Sequence, residues 1–282
     1  MKVIETDNIK LPLFSENLKT YVIPVLGNVK KLKTPIKLAG GWRFFEDVVI
    51  LQKNKNTIYK KILNFNEFIE LSNCCKKSKK ISDEIYHNII SKRVSNINLD
   101  FSKCNLMSVL NFTPDSFYNP SRVENLENLR KQIEKLKLQE VDIVDIGAES
   151  SRPGAEKITS REEIRRLKLF FNNFDVGQLN VKLSLDSRNF KTVSSFIDCG
   201  ILIINDISGF KDKMFLDLLL NKNVSIIIMH MQNNPKKMQV NPSYEFPIID
   251  IYEFFKAKIK FLLDNGVKKS QIIIDPGFGF GK

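Results

Sequence analysis

The sequence predicts an α/β fold of the (β/α)8-barrel type, incomplete at about six strand–helix units and preceded by an N-terminal region of different texture. From Ile97 onward, short β-branched runs alternate with apolar residues at helical spacing, a pattern that implies parallel strands joined by right-handed crossovers. Successive strand-like runs end on Asn111, Asp145, Asp186, Asn205, His230 and Asp275. A doubly wound sheet fits the alternation too, but it gathers ligand contacts at one switch point, whereas a barrel brings every strand end to one mouth. The 186 residues from Ile97 to Lys282 fall short of the roughly 250 of a complete barrel. Six strands alone would leave two exposed edges.

The strands are expected at Leu106–Leu110, Val141–Ile146, Val181–Leu185, Ile201–Ile204, Val224–Met229 and Ile272–Ile274. Between them, Ser121–Gln139 carries Leu126, Leu129, Ile133 and Leu136 on one helical face. A second helix opens at Ser160-Arg161-Glu162-Glu163, which has capping-box spacing. Helices at Phe190–Ile197, Phe215–Leu220 and Ile249–Leu263 complete the series. Residues 1–96 read as a separate region of unknown function and 97–282 as the barrel domain. In the first region Phe45–Leu51 is strand-like, and Phe65–Leu71 and Ser82–Lys92 are helix candidates, the latter capped by Ser82. Pro12, Pro24 and Pro35 break its start into short pieces, and the lysine- and serine-rich 72–80 reads as a loop.

Composition narrows the function classes. The chain is 43% hydrophobic, enough for a sizeable core. Its start lacks a signal-peptide pattern and no apolar run reaches the roughly 18 residues of a membrane span, so a cytoplasmic protein without membrane partners is expected. Four cysteines show no metal-ligand spacing, and two histidines exclude a multi-histidine metal site. The net charge of +12 is concentrated in residues 1–100, which hold 18 basic and 10 acidic residues. Of the 44 basic residues 35 are lysine, and the run Lys76-Lys77-Ser78-Lys79-Lys80 has no interleaved aromatics. Base readers lean on arginine and stacking aromatics, so a solvated face is expected rather than a nucleic-acid site.

The chemistry sits at the strand ends. Asp145-Ile146-Gly147-Ala148-Glu149-Ser150-Ser151-Arg152-Pro153-Gly154 ends a buried strand on a carboxylate, turns at glycine and places an arginine suited to a phosphate-type anion. Arg152 pairing with Glu149 or Asp145 is the structural alternative. Asp186 and Asn205-Asp206 end neighbouring strands, where buried carboxylates are costly without partners. An aminopyrimidine offers matching donors; a helix cap is the alternative for either residue alone. His230, flanked by methionines, reads as a packed core residue. The stretch Gly277-Phe278-Gly279-Phe280-Gly281-Lys282 fails as a phosphate loop, because Pro276 stands where its first glycine is needed.

Together these motifs closely resemble dihydropteroate synthase. The family's Asn-x-Thr-Pro-Asp-Ser-Phe is matched at Asn111–Phe117, and its Glu-Ser-Thr-Arg-Pro-Gly stretch at Glu149–Gly154 with Ser151 for threonine. Asp186-Ser187, Asn205–Gly209, Met229-His230-Met231 and Asp275–Lys282 follow in the family's order. The resemblance implies condensation of 4-aminobenzoate with a dihydropterin diphosphate, releasing pyrophosphate. It implies catalytic Asp145, Asp186 and Asp275; pterin contacts from these and Asn205; Asn111 on Mg²⁺ and the diphosphate; and Arg152 on the diphosphate. Ser151, Pro153 and Phe280 are implied near the aminobenzoate. The resemblance also implies a homodimer, although the helices that family dimers use lie in the C-terminal half of the barrel, part of which the sequence lacks.

Departures are visible as well. The first loop reads Tyr118-Asn119-Pro120-Ser121 in place of Ser-Asp-Gly-Gly, Gln232 stands where an arginine is expected, and the family's later Ser-Arg-Lys and Arg-x-His elements are not in the sequence. Lys282 does not stand in for that lysine. The alternatives are a catalytically impaired or non-catalytic pterin-binding module, which another chain would complete, and a pterin-dependent methyltransferase.

Overall fold

The computed structural model describes residues 1–7, 9, 13–14, 18–113, 123, 125–150, 157–206, 210, 214–232 and 241–282. The chain divides into two compact units, one of residues 1–94 and 100–104, the other of 95–99 and 105–282.

In the first unit, β1 (Lys2–Glu5), β2 (Lys19–Gly27), β3 (Ile36–Lys37), β4 (Phe44–Asn54) and β5 (Thr57–Asn64) form one sheet in the order β1-β5-β4-β2, with β3 also on β4. Pro24 lies inside β2 rather than breaking it. Among the described residues that strand pairs only with β4, and an edge strand tolerates a residue without an N–H. Two helices follow, α1 (Phe65–Ser72) and α2 (Lys76–Ile90). Of the stretch 72–80 expected to be a loop, 73–75 form the turn between the helices and 76–80 are the start of α2. Its N-cap is Cys75, whose sulfur accepts from the Ser78 N–H, and not Ser82, which is buried in mid-helix. Phe45, Phe65, Phe68, Leu13 and Ile50 build the core. Phe65 stacks on Phe68 and meets Phe45 edge to face.

The second unit is the expected parallel sheet. It runs β6 (Met107–Asn111), β7 (Ile143–Gly147), β8 (Lys182–Asp186), β9 (Ile201–Asp206), β10 (Ser225–Met229) and β11 (Ile272–Asp275), side by side in chain order. The intervening helices are α3 (Leu126–Leu138), α4 (Ser160–Phe171), α5 (Phe190–Phe196), α6 (Met214–Asn221) and α7 (Pro247–Asp264). Six parallel strands with their crossover helices make an incomplete barrel. One helix start and one cap differ from expectation, while α4 opens at Ser160 as expected. Asn125 caps α3 through its side chain on the Asn128 N–H, so the described helix begins at Leu126 rather than Ser121. Thr159, one residue before Ser160, caps α4 through the Glu162 N–H. Thr159→Ala is expected to cost about 1 kcal/mol, the usual worth of such a cap; thermal unfolding measures it.

Strand alternation sorts the side chains into two layers. Leu110, Val144, Ile146, Leu183, Leu185, Ile204, Ile226 and Ile228 face the helices and pack with Leu129, Leu167, Phe170, Phe215 and Leu262. The opposite, inner face carries Ile143, Ile203 and Ile227, packed with Ile97. These isoleucines close the lower interior, which leaves the upper inner positions for polar groups. At the lower end Asn96 acts as a clasp: its N–H donates to Ser270 O, and its Oδ1 accepts from Ser225 Oγ.

Candidate active site

The register brings Asn111, Gly147, Asp186 and Asn205 into one row across β6 to β9. One layer below, Asp145 is paired in register with Ser184. Asp275 ends β11 opposite Met229. Five of the residues singled out from the sequence therefore lie at the carboxyl end of one sheet. Ser151, Arg152 and Pro153 lie outside the described residues.

Gly147 belongs to the strand, so its role is space rather than the tight turn expected. A Cβ built there would lie 3.2 Å from Asp186 Oδ2 and 3.6 Å from Asn111 Oδ1. The missing side chain is what lets an amide and a carboxylate flank it. Below, Asn205 Nδ2 donates to Asp145 Oδ2 at 2.9 Å. Asp145 Oδ1 and Ser184 Oγ are buried side by side, and neither makes a hydrogen bond of ordinary geometry. Ser184 was not picked out from the sequence, where a serine inside an apolar run carries no signal.

Burial is the main reason the Asp145 carboxyl is pushed up from its ordinary pKa, opposed by the Ser184 hydroxyl and the Asn205 amide. Asp186 is pushed well above the carboxylate range, first by loss of solvent and then by repulsion from Asp145, Glu163, Asp206 and Glu149. A site with surplus buried acceptors and destabilised negative charge suits a ligand that presents several N–H donors or a developing positive charge.

The Asn205-Asp206 pair divides its labour. Asn205 faces Asp145, whereas Asp206 is fully buried and accepts from the Phe210 N–H. Asp275 Oδ1 accepts from the Gly277 N–H at 2.7 Å, which starts the glycine-rich loop as a tight turn. That loop is fastened to the end of β10. His230 N–H donates to Asp275 O, Lys282 Nζ donates to His230 O, and Tyr244 OH donates to Gly281 O. Phe280 is half-buried on this loop. His230 is buried among Phe254, Phe255 and Tyr244, with its pKa lowered by burial. Gln232, in the position where an arginine was expected, makes two hydrogen bonds to the Ser243 backbone.

Outside this row, Glu149 binds the Arg188 guanidinium in a two-bond pair. The sequence suggests Arg152 as a partner for Glu149 and none for Arg188. The described residues contain no cluster of three or more metal-ligating side chains. Asn111 supplies a single hard oxygen at its strand end, and one such oxygen fits Mg²⁺ only when phosphate and water complete the shell. A cleft of about 920 Å³ elsewhere on the unit is lined by Phe112, Thr113, Asn125, Arg165 and Asn172 among others. No strand-end carboxylate lines it, so it is not the site described above.

Residues 107–282 match a family model described as pterin binding enzyme. The chain is 35% identical over 188 residues to dihydropteroate synthase of Haemophilus influenzae, covering 65% of this chain and 66% of that one. Among solved structures, dihydropteroate synthase of Burkholderia cenocepacia complexed with 7,8-dihydropteroate aligns with a TM-score of 0.55 and 34% identity, covering 65% of this chain and 62% of that chain. The Xanthomonas albilineans dihydropteroate synthase with 4-aminobenzoic acid aligns at 0.56 and 30% identity, with 65% of each chain covered. The chain spans just under two thirds of the length of the curated relatives it matches.

Proposed function

Because this chain belongs to the pterin binding enzyme family, we propose that it is a dihydropteroate synthase, condensing 4-aminobenzoate with (7,8-dihydropterin-6-yl)methyl diphosphate. The observation that carries the reading is the inner strand-end group: Asp145 held by Asn205, the raised carboxyl of Asp186 beside Gly147, and buried acceptors without partners. The aminopyrimidine edge of a pterin supplies the N–H donors this group lacks. Asp145, Asp186 and Asn205 hold the ring, with Asp275 at its far side.

In the reaction the methylene C–O bond breaks and its electron pair leaves with pyrophosphate. The positive charge left on the pterin methylene is stabilised by Asp145, Asp186 and Asp275, worth most in a site shielded from water. The aniline nitrogen of 4-aminobenzoate forms the new C–N bond and loses a proton. Asn111 and Arg152 hold the diphosphate; Mg²⁺, to which Asn111 would give one ligand, would neutralise charge on the leaving group when bound. Ser151, Pro153 and Phe280 border the aminobenzoate.

Formation of dihydropteroate from the two substrates with Mg²⁺ tests the proposal. Pterin binding without product would overturn the synthase reading and leave a binding module, whereas absence of both would remove the pterin site. Gly147→Ala gives a finer check. Its Cβ would lie 3.2 Å from Asp186 Oδ2 and 3.3 Å from Asp186 Cβ, so pterin affinity is expected to fall about five-fold and the melting temperature to drop as well, since Asp186 Cβ gives only if its strand shifts.

A further inference from the structure

Beside the candidate site, Glu149 and Arg188 join the ends of β7 and β8. Arg188 Nη2 donates to Glu149 Oε1 at 2.7 Å and Nε donates to Oε2 at 3.0 Å. Oε1 also accepts from the Ile158 N–H at 3.3 Å. Both oxygens are thereby engaged, and the carboxylate side chain is only 10% exposed. Arg166 Nη1 donates to Ala148 O at 3.0 Å, fixing the residue just before it. Glu149 is within electrostatic reach of the strand-end row, since its charge helps raise the Asp186 carboxyl. The carboxylates of Asp206 and Glu163 act on the Arg188 guanidinium too.

Resting on the reading that the substrate carries a diphosphate, we propose that Arg188 is a positioning residue for diphosphate binding. It neutralises Glu149 at the mouth of the site, where the two side chains meet between the ends of β7 and β8. An unpaired carboxylate here would repel the anionic tail of the substrate but not the neutral pterin ring. It would also compete for any guanidinium meant for the phosphates. The planar two-bond fork of arginine suits such a pairing better than a lysine point charge.

The test is a pair of ligands on the full chain. Affinities for the pterin methyl diphosphate and for the corresponding hydroxymethylpterin are measured by calorimetry with Mg²⁺ present. Arg188→Met is expected to weaken the diphosphate ligand at least ten-fold and the hydroxymethylpterin less than three-fold. Adding Glu149→Gln to Arg188→Met is expected to recover most of the loss, because the repelling charge goes although no pair is restored. Arg188→Lys, which keeps the charge, is expected to stay within three-fold of the parent and covers a failure of the Met variant to fold. Equal weakening of both ligands, no recovery in the double variant, or a ten-fold loss in Arg188→Lys would overturn the neutralising role. If the parent itself shows no preference for the diphosphate ligand, the synthase reading falls, and the assignment of Arg188 falls with it.

Discussion

Asp186→Asn is expected to weaken pterin binding about 100-fold, since a hydrogen bond to a charged partner is worth about 1.5–3 kcal/mol and 1.4 kcal/mol is a factor of ten. The same substitution is expected to raise the melting temperature of the free protein at neutral pH. In the folded state the Asp186 carboxyl is held well above its ordinary pKa by burial and by neighbouring carboxylates. A group raised in this way contributes most below its unfolded pKa, and its contribution is lost as pH rises through the folded value. At neutral pH asparagine removes that liability while keeping the shape. Ligand binding favours the ionised carboxylate, so pterin affinity in the parent rises with pH across the same window and is flatter in the variant. Calorimetry at several pH values, with thermal unfolding alongside, checks each part. Unchanged affinity would take Asp186 out of the site, and a lowered melting temperature would contradict the electrostatic account.

Gly277→Ala is expected to destabilise the second unit by about 3 kcal/mol, read from urea unfolding. Gly277 has φ 64°, a conformation that costs an L-residue roughly 1–2 kcal/mol. A Cβ there would lie 2.5 Å from the carbonyl oxygen of His230. That atom belongs to backbone, so it yields only if the end of β10 moves, at a further cost of about 1–2 kcal/mol. The same movement pulls on the His230 N–H to Asp275 O bond, so the Asp275 carboxylate shifts with it. A loss below 1 kcal/mol would show that the loop moves independently of β10.

The barrel strands were legible because buried parallel strands are nearly uniform apolar runs, and those runs end on polar residues. Asp145, Asp186, Asn205 and Asp275 stood out as the polar ends of such runs; any one alone reads as well as a helix cap, and it is the set, together with the family resemblance, that singles them out. The N-terminal unit was far less legible. Lys76–Lys80 look like a loop to any hydropathy reading, yet Ser78 and Ser82 are the buried side of that helix. Pro24 signals a break, yet an edge strand accommodates it. Within the site, Ser184 and Arg188 escaped notice because their meaning lies in register and pairing between segments distant in sequence. A serine in an apolar run and an arginine after a strand acquire their role only when Asp145 and Glu149 are placed beside them.

The Asn96 clasp bears on how the barrel unit can be isolated. A fragment started at Ile97, where the change in sequence texture suggests cutting, would keep the isoleucine that packs into the lower interior but discard the residue that bonds Ser225 and Ser270. Ser225 is fully buried, so its hydroxyl would lose an acceptor inside the protein, where such a loss costs most. A fragment begun at Ser95 retains the clasp. Two residues at the cut thus separate a barrel with a sealed floor from one with a polar leak beneath its strands.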